Sequence, residues 1–112
     1  METTYNFEAL ITLLPTERGG RKSAISNNFR PNFSFNTKKM YCGEIRTENN
    51  KSIAPGQNAV VTIHLLPATT IPTNLTIFKT FIISEGKKVI GNGQITSLQK
   101  TEIINNDELI PA

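Results

Sequence analysis

The sequence has no tryptophan and one cysteine, Cys42, among 112 residues. It can therefore close no internal disulfide, and no cysteine cluster can hold a metal ion. Judged by residue type, Cys42 reads as a small buried hydrophobe. His64 is the only histidine and lies beside apolar neighbours, so a place on a sheet face or in the core is the expectation rather than catalysis. The nine acidic residues are scattered rather than clustered, and no metal site is expected. There is no G-x-x-x-x-G-K-[ST] loop for nucleotide phosphates, no G-x-G-x-x-G, and no G-x-S-x-G to support a hydrolytic triad. The expectation is a binding module without enzymatic activity, cofactor or metal. No apolar run approaches the roughly 20 residues that span a bilayer. The opening residues Met1–Thr4 carry an acid and no apolar stretch, so no signal peptide is expected and a cytoplasmic protein is the simplest account. The Asn-x-Ser/Thr triplets at Asn32, Asn50 and Asn74 then carry no glycosylation meaning. No segment has the 3.6-residue period of an amphipathic helix.

What is present is a globular composition, 38% hydrophobic and 19% charged, of a length that suits one domain. The net charge is +3 and the pI about 9.2. That charge is unevenly placed. Between Glu17 and Lys39 lie Arg18, Arg21, Lys22, Arg30, Lys38 and Lys39, against Glu17 alone. The rest of the chain holds six basic and eight acidic residues. A loop that gathers the positive charge of an otherwise balanced domain is a candidate surface for an anion.

The chain alternates between apolar and polar residues in short runs. Phe7, Ala9, Ile11 and Leu13 alternate with Asn6, Glu8, Leu10 and Thr12, the period-two pattern of a half-buried strand over 5–14, which Pro15 ends. Gly19-Gly20 permits a tight turn, and 23–28 reads as polar loop. Pro31 biases Arg30 towards extended backbone and holds its guanidinium just before the next strand. Phe33 and Phe35 share one face of that strand. Met40–Thr47 reads as a third strand in which Gly43 marks a bulge or a close approach. Ala54-Pro55-Gly56-Gln57 is a turn. Ala59–Leu66 is a strand with Val61, Ile63 and Leu65 on one side and Val60, Thr62 and His64 on the other. A proline-containing connection, 67–74, leads to a long strand over Leu75–Ser84. Glu85-Gly86-Lys87-Lys88 signals a hairpin, and Val89–Leu98 returns, interrupted by Gly91 and Gly93. Six strands and no helix predict an all-β protein, a small antiparallel barrel or sandwich. The domain is expected over residues 1–99, with a loosely ordered polar tail over 100–112.

Several of these blocks, in this order, resemble the C-terminal β-barrel of translation elongation factor Tu. Phe7-Glu8-Ala9-Leu10-Ile11-Thr12-Leu13-Leu14 is similar to that family's first strand. Gly19-Gly20-Arg21 and Asn28-Phe29-Arg30-Pro31-Asn32-Phe33-Ser34-Phe35 are similar to its E-G-G-R and G-Y-R-P-Q-F-Y-F. Ala54-Pro55-Gly56-Gln57-Asn58 stands for M-P-G-D-N, and Val61-Thr62-Ile63-His64-Leu65 echoes T-V-x-L. The run from Phe81 to Gly93 is similar to its closing hairpin. The resemblance implies a six-stranded, closed, antiparallel Greek-key barrel.

In the complete factor this barrel contacts the T-stem backbone of aminoacyl-tRNA and packs on the GTPase domain. The resemblance therefore implies RNA contact by Arg21, Lys22, Arg30, Asn32, Lys38, Lys39 and Glu85. Arg30 and Glu85 keep the family's residue types; Asn32 replaces a Gln and Lys22 a His, while Tyr41, Asn36 and Lys38 depart from the usual Thr, Arg and Thr. These 112 residues hold no GTPase domain, so delivery of tRNA driven by GTP is not expected of them alone. Two partner classes follow: RNA, either tRNA or a ribosomal element, bound through phosphate and ribose, or a GTPase or other translation-factor protein bound through the surface that packs between domains.

Overall fold

The computed structural model describes residues 2–35, 39–66 and 75–103. Lys38, the connection 67–74 and the part of the expected tail over 104–112 lie outside them. Six strands form: β1 (Glu2–Leu13), β2 (Asn32–Ser34), β3 (Tyr41–Arg46), β4 (Asn58–Leu65), β5 (Thr80–Glu85) and β6 (Lys88–Ile103). They close into a barrel in the order β1-β4-β3-β2-β5-β6, every neighbouring pair antiparallel. Strands β2, β3 and β4 form a meander, while β1 and β6 sit between β4 and β5. Closure gives each strand two neighbours in the body of the barrel, while Glu2–Thr4 and Thr101–Ile103 pair only with each other. Helical structure among the described residues is limited to two 3-10 turns, Thr16–Arg18 and Glu48–Asn50.

Alternation decides which residues enter the barrel. Phe7, Ala9, Ile11 and Leu13 of β1 and Val61, Ile63 and Leu65 of β4 are buried, as their period-two spacing requires. Phe7, Phe33, Phe35 and Phe81 form an aromatic centre, with edge-on or tilted contacts at centroid separations of 5.6 to 6.2 Å. That geometry favours the ring quadrupoles and contributes about 0.5–1.5 kcal/mol per pair beyond area burial. The aromatic centre explains two glycines. A Cβ on Gly43 would lie 2.7 Å from Phe33 Cε2, and one on Gly93 2.4 Å from Phe81 Cζ. Each glycine makes room for a ring across the ladder.

Gly91 and Gly93 thus do not interrupt β6; both stay paired with β1 and β5. The irregularities fall elsewhere, at Glu8/Ala9 and Ile83/Ser84, where β6 contributes one extra residue. Strand β5 is shorter than its composition predicts. Thr76 to Lys79 form a turn, with Lys79 N–H donating to Thr76 O at 3.1 Å and Phe78 at φ 72°, so the strand starts at Thr80. Strand β6 is longer. The expected boundary at residue 99 falls inside it, and its ladder with β1 continues to Ile103 opposite Glu2.

Candidate functional site

The loop between β1 and β2 is built by three anchors. Thr16–Arg18 is capped by Gly19 at φ 91°, and Gly20 N–H donates to Pro15 O at 2.9 Å. Gly20 admits no side chain, since its Cβ would lie 2.1 Å from Leu14 O. Next, Ile25 pairs with Ile53 through two backbone hydrogen bonds of 2.9 Å, and both side chains are buried. The stretch 23–28, read from sequence as polar loop, therefore carries a core residue at its middle. Asn27 then accepts a hydrogen bond from Thr47 N–H at 2.8 Å and donates to Asn50 Oδ1 at 2.7 Å. The loop is fixed to both 3-10 turns and across the end of the barrel.

From Asn28 the chain runs beside β3 before β2 begins. Asn28 N–H donates to Ile45 O at 2.9 Å, and Ile45 N–H to Phe29 O at 2.8 Å. Alternation along this extended run turns Phe29, Pro31 and Phe33 towards the barrel and Arg30 and Asn32 outwards, as Pro31 after Arg30 predicts.

Arg21 is largely covered, with 19% of its side chain accessible. Its Nη1 lies 3.1 Å from Glu85 Oε2, its Nη2 donates to Ser23 Oγ at 3.2 Å, and its guanidinium sits 4.7 Å from the Phe29 ring centroid. Arg21 and Glu85, far apart in sequence, thus tie the loop to the end of β5. Lys88 Nζ adds a bond to Gly20 O at 3.3 Å. Lys22 is exposed on the same loop. Asn32 stands between Cys42 and Ser84 in the sheet and accepts a weak bond from Cys42 Sγ at 3.5 Å. Lys39 is exposed, its Nζ 5.8 Å from the Tyr41 ring centroid. Tyr41 pairs with Phe33 whereas Arg30 lies level with Glu44, so Lys39 stands at the far end of the β2–β3 hairpin, roughly 10 Å along the strands. The structure gathers Arg21, Lys22, Arg30, Asn32 and Glu85 at one end and leaves Lys39 at the other.

Cys42 is exposed, which corrects the expectation of a buried thiol. Tyr41, Gly43 and Ile45 take the inward positions of β3, because the Phe33 ring fills the space over Gly43. Cys42, Glu44 and Arg46 must then share the outer face. Glu44 is nevertheless buried there, beneath two arginines that the sequence reading did not connect. Arg46 Nε donates to its Oε1 at 2.7 Å, and Arg30 Nε lies 3.5 Å from its Oε2. The Arg46 hydrogen bond holds the Glu44 carboxyl below its ordinary value of 4.5, with the Arg46 and Arg30 charges helping, although burial acts in the opposite sense. His64, across the ladder from Glu44 and bonded to Asn6, is held below 6.5 by burial and the Arg46 charge, against the pull of Glu44.

Among the described residues no group of three or more His, Cys, Asp or Glu could hold a metal ion, and no helix is long and apolar enough to cross a membrane. Beyond the polar end, Leu10 and Val60 face each other on the outside of β1 and β4, and Leu10 shares a shallow groove with Ile82. A family model described as the elongation factor Tu C-terminal domain matches residues 1–99.

Proposed function

The chain belongs to the elongation factor Tu C-terminal domain family, and from that premise we propose that it is a non-catalytic module that binds the backbone of RNA, tRNA or a ribosomal element, through its β1–β2 loop. The observation that carries this reading is Arg30. Its side chain is 66% exposed on a connection that also exposes Lys22 and is held by Ile25, Asn27 and the Arg21–Glu85 pair. A cation on a rigid mount loses less conformational freedom on binding than one on a free loop. In this reading Lys22 and Arg30 meet phosphates at the loop, while Lys38 and Lys39, in the β2–β3 connection, meet phosphates farther along the RNA backbone. Arg21 chiefly fixes the loop, and Asn32 and the half-exposed Glu85 face ribose hydroxyls. Such contacts position RNA without reading its bases.

The test is fluorescence anisotropy of a labelled tRNA titrated at low and moderate salt. The wild-type chain is expected to bind saturably, with log K falling by about 0.7–0.9 per phosphate neutralised for each decade of salt. Arg30→Ala should weaken binding about fivefold or more and lower that slope by about one contact. An unchanged affinity and slope in Arg30→Ala would remove Arg30 from the site.

A second reading, a module that docks on a GTPase or another translation-factor protein, is favoured by the exposed Leu10 and Ile82, which line one shallow groove on the outside of β1, β5 and β6. It predicts a protein complex insensitive to salt.

A further inference from the structure

We propose that Arg46, which the resemblance does not mark as an RNA contact, forms with Arg30 a two-arginine clamp for one RNA backbone phosphate, with the buried Glu44 as the residue that positions both. This rests on the reading of the loop as an RNA-binding surface and names a further part of it.

The geometry is one acid shared by two bases. Glu44 presents Oε1 to Arg46 Nε and Oε2 to Arg30 Nε, and its own side chain is only 11% accessible. The guanidiniums above it are 55% and 66% exposed. Each is engaged at Nε. A guanidinium has five N–H donors in a planar fork, so an arginine held at Nε still offers the Nη1–Nη2 edge to a planar or tetrahedral anion. Two such edges flanking one carboxylate suit the oxygens of a phosphodiester, which take paired, charge-assisted hydrogen bonds.

Charge alone does not make this place attractive. One carboxylate offsets one of the two arginines, and Glu8 and Glu48 border the same shallow groove as Arg46 without ion-pairing to it. His64, bonded to Asn6, is kept towards its neutral form and adds little positive charge at neutral pH. Binding here therefore depends on short contacts from oriented forks rather than on long-range attraction. Neither Glu44 nor Arg46 has a packing task that demands its charge: Arg46 points outward at the end of β3, and an uncharged pair would fill the same outer face.

This distinction gives Glu44→Gln an opposite sign in the two accounts. Removing a negative charge from the surface strengthens binding if general electrostatics governs it. It weakens binding if the carboxylate is what orients the two guanidiniums.

The experiment is a titration of labelled tRNA transcript with the full chain, comparing wild type, Arg30→Ala, Arg46→Ala, Arg46→Lys and Glu44→Gln across a salt series, with thermal midpoints to verify folding. Arg46→Ala is expected to lose about fivefold or more in affinity and about 0.7–0.9 in salt slope, as Arg30→Ala does. Arg46→Lys keeps the charge but not the fork, and is expected to recover less than half of the loss on a logarithmic scale. Glu44→Gln is expected to weaken binding about threefold or more. If Arg30→Ala weakens binding while Arg46→Ala matches wild type, or if Glu44→Gln binds more tightly, the clamp is refuted although the RNA-binding reading stands. If the folded wild-type chain does not bind, both fail.

Discussion

His64 shows how much a single residue's neighbours matter. Its place in β4 puts it on the outer face, opposite Glu44 on one side and Asn6 on the other. Burial and the Arg46 charge oppose its protonation, and Glu44 does not fully compensate. The native state therefore resists a proton that the unfolded chain accepts. By linkage, stability is full above the ordinary imidazole value of 6.5 and declines as pH falls below it towards the lowered native value. Urea midpoints of wild type and His64→Gln, followed from pH 8 to about pH 5, are expected to diverge below roughly 6.5, the wild type losing stability that the variant does not. Parallel curves through this range would show that the native imidazole titrates as it does in the unfolded chain. Glu44 acts with the same sign at lower pH, because its carboxyl is also depressed: its contribution disappears as pH falls below 4.5. The two effects thus occupy separate windows.

At the scale of elements, the strands were legible and the loop was only partly so. Period-two spacing identified β1 and β4 with their inward faces, because one residue of slip would have turned Phe7, Ile11, Val61 and Ile63 to solvent. It could equally have placed Cys42. Tyr41, Gly43 and Ile45 are the inward set of β3, and Cys42 shares its parity with Glu44 and Arg46. Residue type misled where position was informative. The same parity was the available signal for the Glu44–Arg46 pair, but nothing local could show that Arg30 would arrive beside it. That contact depends on the strand register. Strand β5 is shorter than its sequence predicts because Leu75–Lys79, though rich in strand-forming residues, yields to the turn at Phe78.

Ile25 is not legible as a core residue, because a lone apolar residue among Ser23, Ala24, Ser26 and Asn27 has no periodicity. Its burial against Ile53 is what gives the loop a fixed shape. Ile25→Ala is expected to cost about 2–5 kcal/mol in urea denaturation, the range for deleting a buried aliphatic side chain. The amides of Ile25 and Ile53, which bond to each other's carbonyls, should exchange faster with solvent. A loss below about 0.5 kcal/mol with unchanged exchange would mean that the loop is held by its polar contacts instead.

For the whole molecule, closure of the barrel separates two surfaces. One end carries the β1–β2 loop with Lys22, Arg30 and the Glu44 pair; the groove over β1, β6 and β5 carries Leu10 and Ile82. The closed ladder, whose first and last strands pair directly, lets neither surface form without the other. Binding of RNA should therefore leave the apolar side undisturbed, while docking of a protein there should spare the basic end. Amide NMR spectra of isotopically labelled protein, recorded during addition of unlabelled tRNA, separate these cases most directly. The RNA-binding account predicts shifts and broadening concentrated at Arg21–Asn32 and Cys42–Arg46, with Leu10 and Ile82 unchanged until signals broaden uniformly. Perturbation centred on Leu10 and Ile82, or spectra unaltered at several equivalents of tRNA, would contradict it.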